Sequence, residues 1–161
     1  GDGFTTGLAQ LLHGSPFIFF LPRGGETLIQ PLWIEDLVVC MTWALDDDNT
    51  RKRVYEIGGP EFLSLRQVVE EVMQHIDVHR ALLSAHPVYL RALTVLLEYL
   101  LPNSPVSVYW LDYFATNRTC SLETIPRVFN LLPSRLSQRL AYLDEEHWGR
   151  VLRRSIFSRD R

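Results

Sequence analysis

Proton transfer is the first chemistry to test in this 161-residue chain. A tyrosine four residues before a lysine forms a catalytic pair, because the cation lowers the pKa of the phenol and lets the hydroxyl exchange a proton. Lys52 is the only lysine of the chain, and position 48 is Asp48 rather than tyrosine. The sequence therefore predicts no catalytic pair of this kind, and we expect no hydride transfer by the chain alone.

Two histidines at helical spacing, His75 and His79, are the candidates for a metal site. Residues four apart lie on one face of a helix and can both bind zinc. The glutamate of an HExxH motif and a third ligand are missing, and a cation near the end of a helix is favourable without any metal. We therefore interpret the pair as a helix end and predict no metal site.

A GxGxxxG pattern spans residues 1–7. A dinucleotide-binding turn follows a strand, opens a helix and has an acidic residue about 20 positions later. In this sequence no strand precedes Gly1, and Glu26 lies beyond a second predicted turn. The pattern therefore predicts a loop that leads into a helix, and we expect this chain to bind no cofactor by itself.

The composition is that of a globular protein and argues against nucleic acid as a partner. The chain is 47% hydrophobic and 22% charged, with a formal net charge of −3, whereas nucleic-acid binding needs a basic field. Residues 150–161 are rich in arginine, but a terminal tail of this kind is usually solvated and mobile. At this length we expect one domain that spans residues 1–161.

Cysteine use and hydropathy bear on the compartment. Cys40 and Cys120 lie far apart in the sequence, which favours reduced thiols in a cytoplasmic protein over a disulfide framework. The most apolar segment, residues 88–101, is too short to span a bilayer and contains Arg91 and Glu98. The sequence predicts no transmembrane segment and no membrane partner.

Hydrophobic periodicity predicts a mixed α/β fold with more helix than strand. Ser64 and Gln67 have the spacing of a capping box at the start of the clearest helix. Ile34, Met41 and Leu45 lie on one apolar face of another helix. Helices are predicted at 4–13, 34–45, 65–76, 86–101, 108–115, 121–130 and 134–143, and strands at 17–21, 27–32, 54–57 and 81–85.

Three segments carry a resemblance to a known family. They are QPLWIEDL at 30–37, VYEIGGPEFLS at 54–64, and the closing stretch at 128–143. In this order and spacing they resemble the extended short-chain dehydrogenase/reductases, the NAD(P)-dependent epimerase/dehydratase group, including its atypical members. Trp33 departs from the family pattern, which often has histidine at this position.

The resemblance implies that the chain is the C-terminal, substrate-binding part of a Rossmann-type reductase, helix-rich with a few short strands. Its N-terminal nucleotide-binding domain, which holds NAD or NADP, and a small-molecule substrate are then the expected partners. The resemblance places Phe4 near the nicotinamide and lets Arg23 and Gln30 contact the substrate; the planar guanidinium of Arg23 can hold a carboxylate or phosphate. The alternatives are that Arg23 is a solvent-facing turn residue and Gln30 an ordinary strand residue. We expect the wall of the substrate pocket to be formed by the start of the chain and by a hairpin of the strands at 17–21 and 27–32.

Other interpretations stay open. The chain can belong to a non-catalytic dinucleotide-binding scaffold or regulatory protein of the same fold, which upstream sequence without Tyr-x-x-x-Lys would indicate. It can also be a stand-alone interaction module, whose apolar helix at 88–101 meets a partner or a second copy in a homodimer. Because the sequence begins at Gly1 rather than methionine, we expect a piece of a longer protein.

Overall fold

The computed structural model describes residues 3–100 and 108–144, and it confirms a mixed α/β fold rich in helix. Helix accounts for 54% of it, and the strands are few and short. The chain divides into two compact units, each assembled from separated stretches of sequence. Unit 1 comprises Gly1–Thr27, Ser64–Thr116 and Leu140–Arg161, and unit 2 comprises Leu28–Leu63 and Asn117–Arg139.

The regular elements alternate between helices and short strands along the chain. In order they are α1 (Gly3–Gly14), β1 (Ile18–Pro22), β2 (Leu28–Ile29), α2 (Ile34–Asp46), β3 (Leu63–Ser64), α3 (Leu65–His75), β4 (Ala81–Ala85), α4 (Pro87–Leu100), α5 (Val108–Tyr113) and α6 (Thr124–Phe129). Short 3-10 turns lie at Arg23–Gly25, Asp48–Thr50, Leu136–Gln138 and Ala141–Leu143.

Unit 1 is built around α1, α3 and a two-stranded sheet. β1 and β4 pair in parallel, from Ile18 opposite Ala81 to Pro22 opposite Ala85. Leu12 of α1, Leu21 of β1 and Val69 of α3 are fully buried, and each such side chain contributes roughly 1.5–3 kcal/mol of hydrophobic stabilisation. These residues form the core on which the rest of the unit packs.

Unit 2 packs α2 against α6. Its core consists of Cys40, Ile125 and Phe129. Pro126 falls in the first turn of α6, where the missing N–H is tolerated. Asn130 then ends the helix in the left-handed region at φ 49°, a common way for a helix to stop.

Several predicted elements are confirmed. α1, α4 and α5 begin and end close to their expected positions. At α3 the capping box is present in full: the Gln67 N–H donates to Ser64 Oγ at 3.1 Å, and the Ser64 N–H donates to Gln67 Oε1 at 2.8 Å. The apolar stripe behind this cap, which includes Val68 and Val72, is buried as its spacing predicts.

The predicted hairpin of β1 and β2 is wrong. β1 pairs with β4, and β2 pairs with β3. The apolar run at 17–21 is also mostly uncovered: Phe17 and Phe20 are exposed, and Leu21 alone of that run is buried. Strand pairing is set by contacts between distant parts of the chain, and the local pattern does not contain it.

Two further predicted elements are absent. Residues 54–57 form no strand, and the helix expected at 134–143 is replaced by two 3-10 turns. The second of these regions is held by hydrogen bonds from backbone N–H groups to acidic side chains, Ser134 to Asp36 at 2.7 Å and Leu136 to Glu61 at 3.3 Å. Backbone groups that find side-chain acceptors do not need helical partners.

Burial does not follow the apolar face of α2. Asp36 and Cys40 are buried, whereas Ile34, Met41 and Leu45 of that face are exposed. On α4, Thr94 is only 4% exposed, while Arg91 and Glu98 are exposed. Periodicity identified which residues share a face but not which face is covered.

Two expectations concern the chain ends and membranes. The basic tail predicted at 150–161 lies outside the described residues. Within the described ranges, no helix is both long and apolar enough to cross a membrane.

Candidate functional site

An apolar cavity of about 220 Å³ lies inside unit 1. Side chains from α1, β1, α3, α4 and α5 form its walls. Every lining residue belongs to unit 1, so this unit supplies the complete cavity. Representative lining residues are Phe4, Leu8, Phe19, Leu90, Leu97 and Trp110.

Three aromatic rings form one wall of the cavity. Trp110 and Phe114 are four residues apart, so they project from the same side of the chain around α5, and their rings stack with centroids 5.8 Å apart. Phe4 of α1 packs on both, at 5.2 Å from Trp110 and 4.9 Å from Phe114. Pairs at such distances add about 0.5–1.5 kcal/mol beyond their buried area. Phe4, predicted to lie near the nicotinamide, is therefore part of a built aromatic wall.

Polar contacts fix the aromatic wall in position. The Thr27 hydroxyl donates to the Phe114 carbonyl oxygen at 2.8 Å in a buried hydrogen bond. The Val108 N–H at the start of α5 donates to Glu98 Oε1 of α4 at 3.1 Å. Arg91 also forms an ion pair with Asp112, but both side chains are exposed and such a pair adds little stability. Thr27 is therefore the main polar anchor of this wall.

The cavity lining offers few polar groups. Among the described residues that line it, none is ionisable, and only the Ser15 and Thr94 hydroxyls and the Trp110 indole are polar. The described lining residues therefore provide the cavity with no acid or base for catalysis. It can bind a ligand by shape and by hydrophobic contact.

Arg23, predicted to contact substrate, is an exposed turn residue next to the cavity-lining Pro22. Its backbone lies in the left-handed region at φ 49°. The turn is shaped by Gly25, which has φ 79° and approaches the Arg66 N–H so closely that a Cβ would lie 2.8 Å from that nitrogen. The turn thus presents the guanidinium of Arg23 to solvent beside one wall of the cavity, and its contact with substrate stays a prediction.

Gln30, the third predicted contact, lies in unit 2. Its Nε2 donates to the Gly59 carbonyl oxygen at 2.7 Å, and its Oε1 accepts from the Cys120 N–H at 2.8 Å. The carboxamide therefore ties two backbone segments of unit 2 together. The structure brings Phe4 and Arg23 into one unit and Gln30 into the other.

The thiols and histidines show no sign of an activated group. Burial and the Asp36 carboxylate raise the pKa of the Cys40 thiol, and burial and Glu56 raise the pKa of Cys120. A thiol with a raised pKa is a poor nucleophile. His75 pairs with Asp144 at 3.1 Å, and no cluster of metal-binding side chains occurs in the part of the chain that the structure describes.

Sequence reasoning missed most of the cavity. From the sequence, Trp110 and Phe114 were assigned only to the helix predicted at 108–115, and Thr94 only to the helix predicted at 86–101. The available signal was the aromatic pair at a spacing of four, which marks one helical face. No local sequence pattern indicates that α1 and β1 also supply walls of the cavity.

No protein-family model and no curated protein matches the chain. A functional conclusion therefore depends on the sequence pattern and on two structural features. These are the apolar cavity of unit 1 and the apolar surface of α2 in unit 2.

Proposed function

We propose that the chain is the substrate-binding part of an NAD(P)-dependent extended short-chain dehydrogenase/reductase, acting as an epimerase, dehydratase or reductase on a small molecule. The order of the segments at 30–37, 54–64 and 128–143 supports this, as does the helix-rich mixed α/β fold. In this role a Rossmann-type domain of the same protein holds NAD or NADP. The chain supplies the substrate side and no Tyr-x-x-x-Lys pair.

One surface carries the proposal: the α2 apolar face, formed by Ile34, Val38, Met41 and Leu45. These side chains are 59%, 53%, 59% and 84% exposed, although they follow helical spacing. A helix normally buries its apolar stripe, and contiguous exposed apolar surface marks an interaction site. In the proposed protein this face packs against the nucleotide-binding domain.

The segment after α2 supports the same arrangement. Residues 54–57 have the composition of a strand, yet they pair with no strand among the described residues, and Val54 is 95% exposed. Unpaired backbone N–H and C=O groups favour addition to the edge of another sheet. We propose that the Rossmann sheet takes up this segment as a further strand.

The substrate side of the proposal belongs to unit 1. Phe4 stands in the aromatic wall of the cavity and Arg23 in the exposed turn that follows Pro22. In the proposed enzyme Phe4 contacts apolar substrate atoms, and Arg23 binds a carboxylate or phosphate with its fork of N–H donors. In the proposed enzyme Gln30 contributes to the substrate side indirectly, by holding together the two backbone segments of unit 2 that its side chain joins.

The test uses Met41→Glu in the full-length protein, compared with the same substitution in the 161-residue chain. A charge forced into a domain interface is uncompensated there, so we expect the full-length protein to lose about 2–3 kcal/mol of stability. In the chain alone Met41 is exposed, and the change should stay within about 0.5 kcal/mol. Urea unfolding followed by circular dichroism measures both proteins.

Thr42→Glu is the matched control, because Thr42 is the next residue and lies off the α2 apolar face. Thr42→Glu should leave the free energy of unfolding of both proteins nearly unchanged. Equal effects of the two substitutions in the full-length protein would contradict the proposed docking. The residues upstream of Gly1 decide the chemistry: a Tyr-x-x-x-Lys pair supports the enzyme, and its loss supports a non-catalytic scaffold of the same fold.

An interaction module is a second candidate, favoured by the outer surface of α4. Val88, Tyr89, Leu96 and Tyr99 are 63%, 76%, 53% and 87% exposed, more apolar surface than a solvated helix usually shows. This candidate requires a complex formed through α4, with a partner or a second copy. A monomer in analytical ultracentrifugation, with no binding of an apolar fluorescent probe to α4, counts against it.

A further inference from the structure

The chemistry of the cavity in unit 1 restricts its ligand. A sugar or another polyhydroxylated group would bury several hydroxyls, and among the described lining side chains only Ser15, Thr94 and the Trp110 indole can pair with them. A buried hydroxyl left without a partner opposes binding. A buried water also requires two to four polar partners, so the deeper part of the cavity favours an apolar occupant over solvent.

The size and extent of the cavity indicate the shape of that occupant. An engineered apolar cavity of about 150 Å³ binds benzene, so by proportion about 220 Å³ holds roughly eight to nine carbon atoms. The lining follows β1 from Ile18 to Pro22 and α4 from Leu90 to Leu97. These stretches are about 13 Å and about 10 Å long. Walls of this length suit a chain better than a single ring.

We propose that the cavity of unit 1 binds an alkyl chain of about eight carbons, supplied by a free fatty acid or by the acyl group of a larger molecule. As a statement about the substrate class, the inference rests on the proposed function. As a statement about binding it needs only the cavity, because one unit provides every wall. Phe4, Trp110 and Phe114 then contact the methylene groups along one side.

Trp110 gives a direct way to detect this ligand. A bromine atom quenches indole fluorescence only at contact distance, and Trp110 lines the cavity while Trp33 and Trp43 belong to unit 2. The fourth tryptophan, Trp148, is replaced by phenylalanine in every protein tested. The probes are alkanoic acids of four to twelve carbons, brominated at the far end, added to the full chain without nucleotide. We expect saturable quenching that Trp110→Phe abolishes.

Chain length provides the quantitative part of the test. Each CH₂ transferred into an apolar site contributes about 0.8 kcal/mol, which is about fourfold in affinity. The dissociation constant should therefore fall about fourfold per carbon up to roughly eight carbons, and then level off. An alcohol series with the same chains distinguishes the sources: affinity equal to that of the acids indicates recognition of the chain alone, whereas tighter acids indicate a free carboxylate ligand.

Leu93→Glu and Leu96→Glu form a matched pair of variants on α4. The two leucines are 47% and 53% exposed, and only Leu93 lines the cavity. A carboxylate at position 93 should weaken binding at least tenfold, while position 96 should leave it unchanged. Because both sites are half exposed, the substitutions cost little stability.

Several results would overturn the inference. These are quenching that persists in Trp110→Phe, affinity independent of chain length, or equal effects of the two glutamate variants. Should Leu93→Glu fail to fold, ligand-induced stabilisation of the unaltered chain still decides the matter, since a ligand that binds the native state raises its melting temperature. Alkyl binding by a full-length protein that catalyses no nucleotide-dependent reaction would refute the proposed function and leave this inference standing.

Discussion

Gly59 lies so close to Pro31 that no side chain fits there. A Cβ at Gly59 would lie 1.7 Å from the Pro31 carbonyl oxygen, and both residues are in unit 2. Backbone cannot move aside as a side chain can, so Gly59→Ala must separate the Gly59 segment from the Pro31 segment, which the Gln30 side chain also bonds to Gly59. We expect a loss of about 3 kcal/mol or more, measured by urea unfolding.

Gly58 provides the matched comparison at the neighbouring position. A Cβ there would meet only the carboxamide of Gln30, at 2.5 Å, which can rotate away at the cost of its hydrogen bonds. Gly58→Ala should therefore be clearly less damaging than Gly59→Ala. If Gly58→Ala and Gly59→Ala lower the free energy of unfolding equally, the close approach of Gly59 to the Pro31 backbone does not explain why glycine occupies both positions.

Among the elements, α3 shows how far local sequence predicts structure. Ser64→Ala removes the side-chain acceptor for the Gln67 N–H and should cost about 1 kcal/mol. Ser64→Asp supplies another cap acceptor and should restore most of that stability. Hydrogen exchange at the first turn of α3 and the urea midpoint measure the change. An unaltered midpoint for Ser64→Ala would show that packing of Val68 and Val72 alone holds the helix.

The strands and the site show where local sequence stops predicting. The pattern at β1 is compatible with several partners, and its actual partner β4 lies about 60 residues away along the chain. The cavity depends on that pairing, because β1 is one of its walls. The sequence therefore predicted Phe4 and Arg23 as individual candidates, and it could not predict that Trp110 and Phe114 join Phe4.

The exposure of the α2 apolar face reflects the same limit of local sequence. Periodicity follows from the 3.6-residue turn of a helix, so the grouping of Ile34, Met41 and Leu45 was right. Which face is buried depends on neighbours, and unit 2 presents α6 to the side that carries Cys40. An apolar stripe that remains exposed then indicates a surface for another protein domain.

At the scale of the whole molecule, the two units are interleaved along the chain. Unit 2 takes Leu28–Leu63 and Asn117–Arg139 from between the stretches of unit 1. Composition does not change at these boundaries, and no Gly- or Ser-rich linker marks them. Such a division arises from the density of contacts within each unit, which a linear pattern does not display.

Stability of the whole chain should depend on pH through His13. Burial, and then the charge of Arg80, lower the pKa of His13 below its ordinary value. The unfolded chain therefore binds a proton more readily than the folded one, and stability falls as the pH drops below about 6.5. Above that pH both states are neutral at this residue and the penalty vanishes.

Replacing His13 isolates this contribution. His13→Gln keeps a polar side chain without a titrating group, so its unfolding free energy should change less between pH 7 and pH 5 than that of the unaltered chain. His79→Gln is the control, because His79 is exposed. Urea titrations at several pH values measure both. Arg80 Nε donates a hydrogen bond to the Leu12 carbonyl oxygen at 3.2 Å. This bond holds the guanidinium charge beside the end of α1, so it cannot move away from His13 when that residue is protonated. An identical pH slope for the unaltered chain and His13→Gln would mean that other groups, and not this contact, set the acid sensitivity.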